Sequence, residues 1–277
     1  MRIRILVDST CDLPQEFVQK WNIGVAPLFV QLGKDSYQDG LDLSVDEFYR
    51  WCRTHTELPK TAQPSVGICE KLIRDSLDEY DHVLCMTISS SLSGTLQAFR
   101  IASEAYEGRV TLFDTLSGSL GFALLILHAA ELVEKEFSIP EILLELQNYR
   151  QQLKVMVALD TLEYAVKGGR VSRLSYFAAN MLSIKPIVHV DYDGYVKVIE
   201  KARSESRALR YLVNAMKEKY GSARPPRIGI AHGDSEERMQ ALVQMIREEL
   251  NPTEIIYSQI GPVIGTYAAP GALLIAF

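Results

Sequence analysis

Short runs of apolar, often β-branched residues recur along this chain and alternate with longer stretches in which apolar residues return every three or four positions. That alternation is the pattern of strands joined by crossover helices in a parallel sheet. In the first half the strand runs are 3–7, 25–30, 83–88 and 110–113. Between them, amphipathic segments 44–53 and 65–77 each open on a serine, Ser44 and Ser65, suited to an N-cap. The longest apolar stretch, 120–132, is interrupted by Gly121 and His128. It falls well short of the ~20 residues that a membrane span requires and reads as a buried helix.

Beyond a helical segment at 139–153 and a strand at 155–159 the pattern changes. Runs 188–190 and 195–199 flank Asp193 and Gly194, a dipeptide that signals a hairpin. Helices at 206–219 and 235–250 and strands at 227–231, 254–259 and 272–277 complete the chain. A length of 277 residues favours two domains. The pattern therefore reads as α/β: a three-layer α/β domain up to a boundary near residue 160, then a second domain into which an antiparallel element enters. No linker rich in Pro, Gly or Ser separates the halves, so they should pack closely, and a cleft between packed domains is a common ligand site.

Composition narrows the function. Hydrophobic residues at 47% and charged residues at 23% belong to a globular protein. A net charge of -6 gives no attraction to phosphate backbones or anionic lipid surfaces, so neither nucleic acid nor stable membrane insertion is expected. Four cysteines without a CxxC pair signal neither zinc nor a redox couple and read as reduced thiols. The chain opens directly on a strand-like run, which points to the cytoplasm.

Several local sequences could carry chemistry. Ser89 to Thr95, SSSLSGT, lies between a strand and the helical run 96–106. A hydroxyl-rich turn with glycine before a helix offers amides and hydroxyls to a carboxylate or phosphate, although the serines could equally cap the helix. Thr61 to Ser65, TAQPS, has a proline and a serine suited to an ordinary helix start. In DSTCDLP, 8–14, Asp8 and Asp12 stand at the carboxyl end of the first strand, where open α/β sheets place ligand loops. With no third carboxylate or histidine close in sequence, they suit turn-tying better than metal binding. There is no G-x-S-x-G elbow and no Walker loop. His128 and His189 fall within a helix and a strand, and His232, before Gly233 and Asp234, is the one histidine placed for chemistry. The stretch 260–271, IGPVIGTYAAPG, with three glycines and two prolines, reads as a single shaped loop. Lys167 to Arg170, KGGR, reads as an exposed turn presenting Arg170, with Arg173 and Lys185 downstream.

Together with DTLSGSLG at 114–121, LEYAVKGGR at 162–170 and SIKPI at 183–187, these segments resemble the DegV family, in the family's order and over nearly the whole chain. The resemblance implies an N-terminal three-layer α/β/α domain over 1–160 with a mainly parallel sheet and a smaller two-layer α/β domain over 161–277 with a mixed sheet, in a protein without catalytic residues, metal or cofactor. It would hold one long-chain fatty acid in a tunnel between its domains and present the carboxylate to a separate ATP-binding fatty acid kinase subunit. By the same resemblance Thr61 and Ser93 hydrogen-bond the carboxylate, while Gly94, Thr266 and Tyr267 complete the head-group pocket. Arg170 and Arg203 contact the kinase subunit or the phosphate. Two positions depart from the family pattern: Tyr267 stands where many members carry His, and Ala62 where many carry a second Ser. A neutral phenol replaces a ring that can become cationic. Two other functions stay open: a lipid sensor or carrier without a kinase, and the substrate subunit of a dihydroxyacetone-kinase-like enzyme, which would need a histidine.

Overall fold

The structure, a computed structural model, describes residues 1–171 and 184–277. Strands β1 (Ile3–Asp8), β2 (Gly24–Ala26), β6 (His82–Thr87) and β7 (Val110–Asp114) form a four-stranded parallel sheet in the order β2-β1-β6-β7. The central strand β6 is buried at every position, as expected of a strand covered on both faces. Alternate side chains divide between those faces. Leu6, Val83 and Cys85 pack with α3 (Val66–Leu77) and α4 (Thr95–Ser103), while Ile5, Val7, Leu84 and Met86 join the core around α5 (Ser119–Glu134).

A second sheet has six strands: β8 (Val155–Ala158), β9 (Lys185–Val190), β10 (Val196–Ala202), β11 (Arg227–His232), β12 (Glu254–Gln259) and β13 (Leu273–Ala276). Their order is β10-β9-β8-β13-β11-β12, and only β11 and β12 run parallel. The outer face is covered by helices Glu205–Tyr220 and Glu236–Glu249, and the inner face meets α5. The α/β class with one parallel and one mixed sheet is the one the sequence predicts. Strand β8 lies before residue 160 and already belongs to the mixed sheet.

Both sheets share α5 as a middle layer, which explains why its sequence is apolar on every side. Close approach needs glycine at two positions. A Cβ on Gly121 would lie 2.2 Å from Val155 Cγ2, and one on Gly229 would lie 2.8 Å from Leu120 Cβ. Among the described residues no helix is long and apolar enough to cross a membrane.

Two expectations are corrected. The run 25–30 is not one strand, because Pro27 has no N–H for a ladder. The chain leaves the parallel sheet after β2 and enters a small antiparallel sheet as β3 (Phe29–Leu32), flanked by β4 (Asp35–Gln38) and β5 (Lys60–Ala62). The segment 260–271 is not a single loop, since Pro262–Ala268 is helical, with Gly261 as its N-cap and Pro262 in its first turn. Proline's fixed φ suits that position. Gly265 lets this helix lie against α2 (Val45–Thr54), where a Cβ would meet Phe48 Cε1 at 2.7 Å and Tyr49 Oη at 2.9 Å.

After β1 the chain turns through Ser9–Cys11 into Asp12, whose φ is 49°. Asp12 Oδ1 accepts the Gly261 N–H at 2.9 Å, Oδ2 accepts the Ser119 hydroxyl, and its carbonyl accepts the Ser258 hydroxyl at 2.6 Å. One residue thus ties the β1 loop to the start of α5 and to the start of the helix Pro262–Ala268. Asp8 serves its own turn and accepts the Ile88 N–H at 2.8 Å. Burial pushes the Asp12 carboxyl up to about 8, Asp39 to about 7 and Asp8 to about 6.

These acids bind protons more tightly folded than unfolded, so between about pH 4 and about pH 8 the stability they contribute falls as pH rises. Asp12→Asn keeps an acceptor for Gly261 and an amide for the Ser119 oxygen. Its unfolding free energy, measured by urea titration at several pH values, should fall less steeply with pH than the parent's. Asp12→Ala should lose about 1 to 3 kcal/mol through the unpaired Gly261 amide. Parallel pH profiles for the parent and Asp12→Asn would show that Asp12 is ionised in the folded state.

Candidate functional site

The N-cap of α4 is Gly94, which brings no side chain, and of the serines in the SSSLSGT turn Ser93 reaches the helix start, its Oγ accepting the Thr95 N–H at 3.4 Å. Ser89 Oγ donates to the Gly194 carbonyl at 2.9 Å and Ser91 Oγ to the Asp193 carbonyl at 2.7 Å, so both hold the tip of the β9–β10 hairpin. Ser93 Oγ lies 2.9 Å from Thr95 Oγ1. Gly94 abuts the other hydroxyl motif: a Cβ there would lie 2.0 Å from Gln63 Oε1.

The KGGR segment is the C-terminal end of a short helix, Glu163–Lys167. Gly169 takes a φ of 76°, and the Arg170 and Val171 N–H groups both donate to the Ala165 carbonyl, at 2.9 and 3.2 Å. This left-handed ending reverses the chain. The turn is exposed at Lys167 and Gly169 as expected, but Arg170 is not presented outward: it points inward. Its guanidinium carbon lies 4.7 Å from the centroid of the Tyr267 ring, Nε donates to the Leu92 carbonyl at 3.2 Å, and Nη1 donates to the Gly168 carbonyl at 2.7 Å. Gly168 makes room for that ring, since a Cβ would lie 2.5 Å from two of its carbons. The Tyr267 hydroxyl is 2.6 Å from Thr61 Oγ1.

Thr61, Ser93, Arg170 and Tyr267, from four separate segments, line one cavity between the two sheets. All four are half-buried. The cavity holds about 820 Å³ of empty space when the solvent at its open mouth is counted. Apart from Ser119 at the start of α5, its other side chains are apolar: Leu159, Val157 and Val155 along β8, Val188 and Val190 on β9, Val196 on β10 and Leu274 on β13, faced by Ile88, Leu92 and Ile264. No described wall residue is acidic. Such a space suits a ligand with an anionic or polar head and a long apolar body.

The remaining expected residues fall elsewhere. Thr266 is buried, and its hydroxyl donates to the Pro262 carbonyl at 2.9 Å, closing a turn of its own helix instead of facing the cavity. Arg203 is exposed after β10 and is not part of the cavity wall. Lys185 pairs with Asp160 at 2.7 Å. Arg173 and Ser183 lie outside the described residues. His232 Nδ1 accepts the Ser235 N–H at 3.0 Å, and His128 rests on Tyr149; burial lowers the pKa of both. Among the described residues no group of three or more His, Cys, Asp or Glu could hold a metal ion. Sequence reasoning missed Ser119, which lines the cavity and bonds Asp12, and Gly168, which seats Tyr267.

The model of the family described as "Uncharacterised protein, DegV family" matches residues 2–277. A DegV domain-containing protein of Caldanaerobacter subterraneus subsp. tengcongensis is 32% identical over 277 residues, spanning 100% of this chain and 98% of that protein. Among solved structures, one described as fatty acid binding of a DegV family protein from Thermus thermophilus has a TM-score of 0.94 at 32% identity, covering 100% of this chain and 99% of that one. A Thermotoga maritima protein described as revealing fatty acid binding function has a TM-score of 0.90 at 30% identity, covering 100% and 98%.

The seat of Tyr267 can be checked by a double-mutant cycle. Gly168→Ala should cost about 1 to 3 kcal/mol of stability through overpacking. In a Tyr267→Ala background most of that cost should vanish, giving a coupling above about 0.5 kcal/mol. An equal cost in both backgrounds would mean that the ring is not what requires the glycine.

Proposed function

Since the chain belongs to the DegV family, we propose that it binds one long-chain fatty acid in the cavity between its sheets, with the carboxylate at the end held by Thr61, Ser93, Arg170 and Tyr267. The observation that carries this reading is the division of the cavity: hydroxyls and a guanidinium gather on one side of an otherwise apolar space. An unpartnered buried carboxylate would cost several kcal/mol, and charge-assisted hydrogen bonds offset that cost. The tail supplies affinity. At ~0.8 kcal/mol per methylene, a chain of about sixteen carbons contributes roughly 10 kcal/mol before the costs of association.

In this reading the protein has no catalysis of its own. It presents the carboxylate from the half-exposed end of the cavity to a separate ATP-dependent kinase subunit, which forms the acyl phosphate. Arg170 then acts from inside the site: it binds the carboxylate and remains beside the phosphoryl group as negative charge accumulates. The dihydroxyacetone-kinase-like alternative finds no support, since it needs a histidine and no histidine is among the described wall residues.

Protein purified from a bacterial host should carry about one fatty acid per chain by native mass spectrometry, and delipidated protein should take up added acid. Ser93→Ala, Thr61→Val and Arg170→Ala should each weaken binding by about 1 to 3 kcal/mol. Ser91→Ala, whose hydroxyl holds the hairpin tip, should cost less. Absence of stoichiometric lipid together with no uptake of added acid would sink the reading. If lipid binds but no acyl phosphate forms with ATP and a matching kinase subunit, the carrier function alone stands.

A further inference from the structure

The floor of the cavity is a set of strand rows whose register gives it a direction. Val157 pairs with Val188 on one side and Leu274 on the other, and Val196 pairs with Val190. Carrying the β8–β9 register out by one residue sets Val155 beside Val190. Leu159, the residue just past β8 on the way to the helix Glu163–Lys167 and Arg170, lies at the other end, about 14 Å from Val155 at ~3.4 Å per residue. The row of Val155, Val190 and Val196 is therefore the end of the floor away from Arg170.

Val155 and Val190 have a second property. Both also line a wider cleft on the far side, whose walls set Arg150, Lys154, Asp191 and Glu218 among apolar residues such as Leu153 and Met156. No other described residue borders both spaces. Val155 cannot swing aside, since a methyl fills the place that a Cβ on Gly121 would take. Val190 is half-buried and stands at the end of its strand.

We propose that Val155 and Val190 form the end wall that fixes the longest acyl chain this protein accepts, separating the lipid cavity from a second cleft whose walls mix charged and apolar side chains. The proposal rests on the fatty-acid reading above and adds its length specificity. A chain that fits gains about fourfold in affinity for each methylene taken out of water. One methylene too many must either buckle or pass between the valines into a wider cleft of mixed charged and apolar walls, where it is packed less closely and gains less. Affinity should rise with length to a break and then flatten or fall.

The test measures affinities of saturated fatty acids of stepwise increasing length for the delipidated parent, Val190→Ala and Val190→Leu, with Val155→Ala as a second way to open the wall. The parent should show one break. Either alanine variant should move it toward longer acids by about two methylenes, so that acids just past the parent's break gain about tenfold or more. Val190→Leu should move it toward shorter ones. The same break in all variants, or a parent with no break, overturns the wall while leaving the fatty-acid reading intact. A parent that binds no acid of any length removes that reading and the wall with it.

Discussion

Helix α5 has no face left for water. One side meets β1 and β6 of the parallel sheet, the other meets β8, β11 and β13 of the mixed sheet, and twelve of its sixteen residues are buried. A helix apolar all round is stable only with both coverings in place, so the two sheets cannot fold as independent units that later touch. Gly121 and Gly229 set how near the second sheet comes. The cavity lies beside the N-terminal end of this helix, where Gly118 and Ser119 enter its wall. Its position between the sheets follows from where the shared helix begins.

Around the cavity the contacts are long-range and polar. Asp12 reaches Ser119 and Gly261, Ser89 and Ser91 reach the hairpin turn at Asp193 and Gly194, and Thr61 reaches Tyr267. Each bond joins segments far apart in the chain, and together they fix loops that have little regular structure of their own. A buried carboxylate in the middle of this set is costly unless protonated or fully bonded. The upward shift at Asp12 is the electrostatic sign of that position.

What the sequence disclosed, and what it hid, divides along the same line. Strand and helix periodicity is local, so β1, β6, β7 and the helices Val45–Thr54, Val66–Leu77 and Ile139–Gln152 were readable from spacing and capping serines. The hydroxyl motifs were readable as special, but their division of labour was not: Ser93 faces the cavity while Ser89 and Ser91 hold a hairpin whose sequence lies about a hundred residues on. Glycine and proline in 260–271 suggested a loop because their usual role is to interrupt helices. Here Pro262 starts one and Gly265 lets it dock on Phe48 and Tyr49. Thr266 shared a motif with Tyr267 but points the other way, since adjacent residues on a helix do not share a face.

Tyr267 shows how one substitution is read differently once its neighbours are known. In sequence, a tyrosine in place of the usual histidine removes a group that can become cationic from the head-group end. In the structure, that ring rests on the bare Cα of Gly168, its hydroxyl meets Thr61, and the Arg170 guanidinium lies over its face. The permanent charge of the arginine is thus held at the cavity by carbonyls of Leu92 and Gly168 and by the electron-rich face of the phenol. A cationic imidazole stacked against the same guanidinium would be repelled, whereas a neutral phenol is attracted. Tyrosine at this position therefore does not leave the polar end without positive charge, but concentrates it on Arg170.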